Sequence, residues 1–330
     1  MSIGTRVRPT GIGGAGPLDA RHRRGSGRAL VFTGAAVILG VVIAAHERIP
    51  DAFGSAVMLD AAAPWLVVLV PILALAALLL RSPAGAAATL IPVMAWAWTF
   101  GTWWAPNPHA PSIPATGTVQ VVSQNLFADN SSPTATARAL VATHADIIAV
   151  QEFAGTDREP VQRILDDAYP YNEVVGTVAV WSRYPTSDTT SVDVGLPWKR
   201  GMRTHIETPR GDLIVYVVHL PSVRPGDTAT RNAGLSTLSR RLTADTAERV
   251  VVAGDFNTPG TDRHWTGFAT GYRDTHSANG SGPGFTWPAS FPLTRLDHIL
   301  VRGSTTLAAA VLRLPGPDHL AVSATIDLDR

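Results

Sequence analysis

Cysteine is missing from all 330 residues. Disulfides, thiol nucleophiles and thiolate zinc sites are therefore excluded, and nothing bars the chain from an oxidising compartment. Net charge is scarce as well, at +1, but that balance conceals an asymmetry. The first 28 residues carry six arginines and one acid, Asp19, whereas residues 117–330 carry 19 Lys and Arg against 22 Asp and Glu, a net of −3. The second stretch lacks the basic excess of a domain built to grip long nucleic acid.

Charge is absent altogether from three long apolar runs, Ala29–Ala45, Ala61–Leu80 and Ala84–Trp104. Each is close to the ~17–25 residues needed to cross a bilayer core. The third ends in Trp96, Trp98, Phe100, Trp103 and Trp104, as an interfacial aromatic belt does. Three such runs exceed what a buried hairpin of a soluble domain requires, and the first lacks the small-residue cleavage site of a signal peptide. The arginine-rich tail (1–28) and Arg81 fall on one side of this pattern. The loop from His46 to Asp60, with Glu47, Arg48 and Asp51, falls on the other. The positive-inside rule then puts the N-terminus in the cytoplasm and everything after Trp104 outside it. The expected location is a multi-pass protein of the cell membrane, in contact with membrane lipids.

Residues 105–117 contain four prolines and read as a semi-rigid spacer. Residues 118–330 then alternate between β-branched runs and short amphipathic segments. Strands are expected at Thr118–Leu126, Asp146–Gln151, Val174–Trp181, Thr189–Val194, Arg203–Thr208, Asp212–His219, Arg249–Ala253, Arg295–Val301, Ala308–Leu314 and Leu320–Ile326. Helices are expected at Pro133–His144, Arg158–Ala168 and Thr228–Ala244. Many strands interrupted by helices fit an α/β domain of two packed sheets with helices outside.

The polar residues are placed at the ends of these runs. Asn125 closes VQVVSQN, Glu152 closes DIIAVQE, His219 closes LIVYVVH, and Asp255 and Asn257 close VVVAGDFN. Asp297 opens RLDHILV, and Asp318 and His319 precede LAVSATI. Any one of these is ordinarily a cap, a turn or a structural residue. A hydrophobic strand that ends in a lone carboxylate leaves a charge to be compensated, and a cation compensates it.

The ordered set SQNL (123–126), IIAVQEF (147–153), VAVWSRYP (178–185), VYVVHLP (215–221), VVAGDFNTP (251–259), FTWP (285–288), RLDHILV (295–301) and GPDHLAVSATI (316–326) resembles the endonuclease/exonuclease/phosphatase superfamily. The overall plan is similar to its membrane-anchored actinobacterial members associated with glycopeptide-antibiotic resistance. The resemblance implies a DNase I-like four-layer α/β sandwich, here preceded by three transmembrane helices, and a phosphoric ester hydrolase dependent on Mg²⁺ or Mn²⁺. Carried over residue by residue, it implies Glu152 as the principal metal ligand, with Asn125 close by and Asp318 contributing. Asp255 would orient the attacking water, and Asn257 would hold a phosphate oxygen. His319 would donate to the developing charge, supported by Asp297, and His219 would contact the phosphate from the opposite side. His298 stands where many relatives carry an aromatic residue, and Asn279–Pro292 is poor in arginine for a DNA-groove loop.

The substrate expected first is a phosphorylated lipid, lipid-linked pyrophosphate or other phosphorylated small molecule. The thirteen-residue spacer holds the domain within ~43–47 Å of the membrane. A surface nuclease ranks below it. Lys199, Arg200 and Arg203, and the pair Arg240 and Arg241, read as solvated surface charge. A catalytically silent binding domain ranks last, since the expected site residues are all present. No segment calls for an obligate protein partner.

Overall fold

A computed structural model describes residues 17–52, 54–104, 117–156, 158–224 and 226–329. The first sixteen residues of the basic tail and residues 105–116 of the spacer lie outside the described residues. The chain divides into two compact units, 1–45 with 64–99, and 46–63 with 100–330.

The first unit is helical. Helix α1 (Pro17–Ala45), α2 (Ser55–Ala62), α3 (Leu69–Leu79), α4 (Pro83–Ala88) and α5 (Leu90–Phe100) follow in order, and all but α2 supply this unit. Two of its polar side chains are used internally. Trp96 Nε1 donates to the Pro64 carbonyl at 2.8 Å, and Arg28 Nη1 to the Leu80 carbonyl at 3.0 Å. Three helical stretches, Ser26–Arg48, Ser55–Leu79 and Pro83–Trp104, are long and apolar enough to cross a membrane. The second starts well before Ala61, where the apolar run begins. The segment expected as a plain loop up to Asp60 is in fact helical from Ser55.

The second unit is built on two six-stranded sheets. The first is formed by β1 (Thr118–Asn125), β2 (Ile147–Gln151), β3 (Tyr171–Val175) and β4 (Val178–Ser182), joined later by β11 (Thr305–Leu312) and β12 (Ala321–Asp327). The second comprises β5 (Thr186–Ser191), β6 (Gly201–Thr208), β7 (Gly211–His219), β8 (Val250–Asp255), β9 (Arg273–Asp274) and β10 (Asp297–Arg302). Strand orders are β11-β12-β1-β2-β4-β3 and β5-β6-β7-β8-β10-β9. Each sheet has one parallel pair at its centre, β1 with β2 and β7 with β8. Helices α6 (Pro133–Ala142), α7 (Arg158–Asp166), α8 (Ala229–Ala244) and the short α9 (Thr275–Asn279) complete it.

Period-two alternation explains the layering. Val121, Ile147, Ala149, Val215, Val217, Val251 and Ala253 point into the core between the sheets. Their neighbours Val122, Ile148 and Val150 turn outward against Leu140 of α6 and Leu165 of α7. Tyr216, Val218, Val250 and Val252 turn outward against Leu235, Leu238 and Leu242 of α8. A strand apolar on both faces can satisfy both only in the middle of such a stack. The result is a four-layer α/β sandwich.

One strand expectation is corrected. Val174–Trp181 is not one strand but the β3–β4 hairpin, turning at Gly176 and Thr177. Gly176 has φ +61°, and a Cβ there would sit 2.1 Å from the Lys199 carbonyl oxygen. Only glycine tolerates both the dihedral and that approach. The two-residue strand β9 and helix α9 carry no periodic signal and were not anticipated.

Candidate active site

In a parallel pair both strands end at the same edge, and antiparallel neighbours begin there. The topology therefore delivers Asn125, Glu152, His219, Asp255, Asp297 and His319 to one rim of the sandwich. His219 and Asp255 are register partners on β7 and β8, and Asp255 and Asp297 are partners on β8 and β10. Gly254 makes this possible: a Cβ at that position would lie 1.9 Å from the Val218 carbonyl oxygen. Glu152 (φ +56°) and Asn257 (φ +47°) adopt the left-handed region without being glycine. Such strain persists where the surroundings over-determine it and is concentrated at functional sites.

Asn125 stitches the two sheets together. Its Nδ2 donates to Glu152 Oε1 at 3.2 Å and to Asp255 Oδ2 at 3.1 Å, while its Oδ1 accepts from the Phe127 backbone N–H. Glu152 Oε2 accepts from the Ala128 N–H at 2.8 Å. Asp255 Oδ1 accepts from the Asn257 N–H at 2.8 Å, and Asn257 Nδ2 donates to the Leu220 carbonyl at 2.9 Å. His319 Nδ1 lies 2.8 Å from Asp297 Oδ2, so the second ring nitrogen is free to face Asp255, 3.9 Å away. His219 Nε2 lies 3.5 Å from Asp255 Oδ2 and 3.8 Å from Glu152 Oε1. Asp318 lines the same cavity, where Trp287 Nε1 donates to its Oδ2 at 3.3 Å.

Burial sets the protonation states. It would by itself lower the His319 imidazolium, but the Asp297 and Asp255 charges and the Asp297 hydrogen bond outweigh it and push it up to about 10. Burial raises the Asp255 carboxyl above the usual carboxylate range, against the pull of the His319 charge. Burial, aided by the Arg200 and His319 charges, holds the His219 imidazole well below its ordinary value. The site thus pairs a charged histidine with a neutral one.

Three ligand atoms of Asp255, Asp297 and His319 lie within 4.8 Å of one another. Within that group His319 Nδ1 is already engaged by Asp297, which leaves only its other ring nitrogen toward Asp255. The donor set at Glu152 and Asp255 fits a hard divalent cation better. Two carboxylates converge on the single amide nitrogen of Asn125, and oxygen ligands are what Mg²⁺ and Mn²⁺ prefer.

One residue was misjudged, and another takes the structural role open to it. Arg200 is not solvated surface charge: it is half-buried, and its guanidinium lies against the His219 imidazole and feels Asp255 and Glu152. Its position follows from the β6 turn and carries no sequence signature. His298 is structural. Its Nδ1 contacts Asp274 at 2.7 Å, its Nε2 the Thr258 carbonyl at 3.0 Å, and its ring packs 4.1 Å from Trp265. It fixes the loop that carries Asn257.

A two-sheet α/β sandwich with carboxylates, amides and histidines on one rim is the architecture of a phosphate-ester hydrolase. The model of the Endonuclease/Exonuclease/phosphatase family matches residues 122–323, and the chain belongs to that family. Among solved structures it is similar to humanized D. rerio TDP2 carrying 14 mutations, at 17% identity and TM-score 0.55, covering 64% of this chain and 99% of that one. It is similar to D. rerio TDP2 complexed with single strand DNA product, at 16% identity and TM-score 0.55, over 64% of this chain and 99% of that one. A family protein from Leptotrichia buccalis C-1013-b aligns at 15% identity and TM-score 0.51, over 63% and 99%. At these identities the likeness is one of fold. No curated protein matches the chain.

Proposed function

We propose that this protein is a membrane-anchored, extracytoplasmic, divalent-cation-dependent phosphoesterase that hydrolyses a phosphate ester or anhydride of a lipid or lipid-linked pyrophosphate. The observation that carries this reading is one cavity of about 600 Å³ lined by Glu152, His219, Asp255, Asn257, Asp318 and His319.

Glu152, with Asn125 and Asp318, would hold a divalent cation, which would supply charge neutralisation for an anionic phosphate. The chain's own groups do the rest. Asp255, fixed by the Asn257 N–H and Asn125 Nδ2, orients a water and accepts its proton. Its raised pKa brings it nearer the operating pH, where a general base works best. Asn257 donates to a phosphate oxygen. Protonated His319, held by Asp297, donates to the oxygen on which charge develops. Neutral His219 donates from the other side, and Arg200 adds a fixed positive charge beside it.

Two of the basic residues that would form a nucleic-acid track are otherwise engaged. Arg203 pairs with Asp245 at 2.8 Å, and Arg240 donates to Ser236 and Thr237. The location is supported by parity. Arg263 of the sandwich donates to Asp60 and to the carbonyls of His46 and Ile49. Residues 46–49 then lie beside the sandwich, as expected when two spans separate them.

Purified protein with Mg²⁺ is expected to release phosphate or headgroup from lipid pyrophosphates or phospholipids, and Asp255→Asn protein is not. Turnover of DNA alone, with a steep salt dependence, would replace this reading by the nuclease one. Because the chain has no cysteine, Ser2→Cys and Ser281→Cys variants test sidedness. An impermeant maleimide should label only Ser281→Cys on intact cells.

A further inference from the structure

The active-site cavity has an apolar wall that the sandwich alone does not supply. Val57, Met58 and Ala61 of α2 line it together with Val223, Trp287 and Leu296. Helix α2 is not loosely apposed. Asp60, wholly buried on the same helix, takes Arg263 Nε at 2.7 Å, Nη2 at 3.0 Å and the Arg263 backbone N–H at 3.0 Å. Arg263 also donates to the carbonyls of His46, Ile49 and Ala56, and His46 Nδ1 lies 3.0 Å from Asp60 Oδ1. Each guanidinium nitrogen thus has at least one acceptor on this segment, and the helix is held in one register. Farther along, Phe100 stacks on His46 and Trp103 meets Phe285 edge-on, their ring centroids 6.0 and 6.1 Å apart.

A phosphoryl group occupies a small part of about 600 Å³, and pockets of this size bury drug-sized ligands. The polar side takes the phosphate, which leaves the apolar side for the group esterified to it. Val57 is buried, but Met58 is 52% exposed and Trp287 40% exposed at this wall. Surface of this kind is stabilised by covering it with hydrocarbon. From Ala63 the chain of α2 runs on into the apolar residues of α3.

Resting on the phosphoesterase reading, we propose that α2 is a specificity element of the active site: Val57, Met58 and Ala61 receive the proximal methylenes of the substrate's hydrocarbon chain, and Arg263 with Asp60 positions that helix.

The test is a homologous series of n-alkyl phosphates and alkyl pyrophosphates, from two to twelve carbons, presented to the full-length protein in nanodiscs with Mg²⁺. Binding of the matching n-alkyl phosphonates is measured in parallel. In the parent, kcat/KM and phosphonate affinity should rise by up to about fourfold for each methylene the wall covers, then level off. Met58→Glu, at an exposed position that does not threaten folding, should flatten both rises. Met58→Leu should restore them, and Arg263→Lys should blunt them in part. Hydrolysis that is equally fast for all chain lengths, or a rise that Met58→Glu leaves intact, overturns the role of α2 while the phosphoesterase reading stands. No hydrolysis of any member overturns both.

Discussion

The two halves of this chain use the same apolar residues to opposite ends. Between residues 30 and 104, twenty large hydrophobic side chains are exposed, among them Leu30 at 76% and Trp98 at 88%. After residue 117 five are exposed among the described residues, and Val, Ile and Leu instead fill three contiguous cores. A surface that apolar is suited to hydrocarbon and not to water. The sandwich shows the reverse: it buries its apolar side chains and spends its polar ones on a single rim. Composition alone does not separate these outcomes; the arrangement of charge does. The helices place their few charges at the ends, and the strands end in theirs.

That comparison can be broken at several points. The largest effect is expected at the rim. Glu152→Ala, Asp255→Asn and His319→Ala should each lower kcat by ~10²–10⁴-fold, with circular dichroism and thermal midpoint close to the parent's. Near-parental turnover in all three would remove the case for chemistry at this edge. Next comes Arg263→Ala, which leaves the buried Asp60 carboxylate with His46 as its remaining side-chain partner. Loss of one partner from a buried ion pair costs about 3–5 kcal/mol, and a clear fall in the thermal midpoint is expected. An unchanged midpoint would show that α2 is not held as described.

A charge placed in the apolar half should be felt differently. Ile72 is 60% exposed in α3, and Ile72→Arg should cost about 2.5–3.5 kcal/mol of membrane insertion. Detection is by the carbonate-resistant fraction of cell membranes. Full retention in the pellet would weaken the membrane reading of that helix. The smallest effect concerns pH. In the proposed mechanism His319 acts protonated and Asp255 ionised, so activity should fall as pH rises through about 10. The Asp297 charge raises His319, so Asp297→Asn should move that limb to lower pH. Asp255 acts ionised, and since burial raises it, the acid limb should lie above the usual carboxylate range. A basic limb that stays put in Asp297→Asn would detach His319 from it.

The sandwich was readable because its strands are apolar on both faces and its polar residues sit where those runs stop. VVVAGDFN and DIIAVQE carry strand, turn and functional side chain in one short stretch. What escaped had no local signal. Gly176 turns a seemingly continuous strand because of the Lys199 carbonyl, which lies outside that run. Arg200 looked like surface charge because its partner, His219, stands at the end of the neighbouring strand. Asp60 looked like a loop acid preceding a span, whereas its partner Arg263 comes 203 residues later. His298 sat in a plain strand, and only the packed Asp274 and Thr258 reveal its work.

The Arg263–Asp60 link has an evolutionary corollary. An anchor that merely tethers can be exchanged for any other, as domain shuffling commonly does. Here α2, which opens the apolar helical run Ser55–Leu79, is also a piece of the pocket, so exchanging that run would change the pocket with it. A chimera carrying this sandwich on a foreign anchor should keep its rim of carboxylates and histidines, but lack one wall of the chamber in front of it.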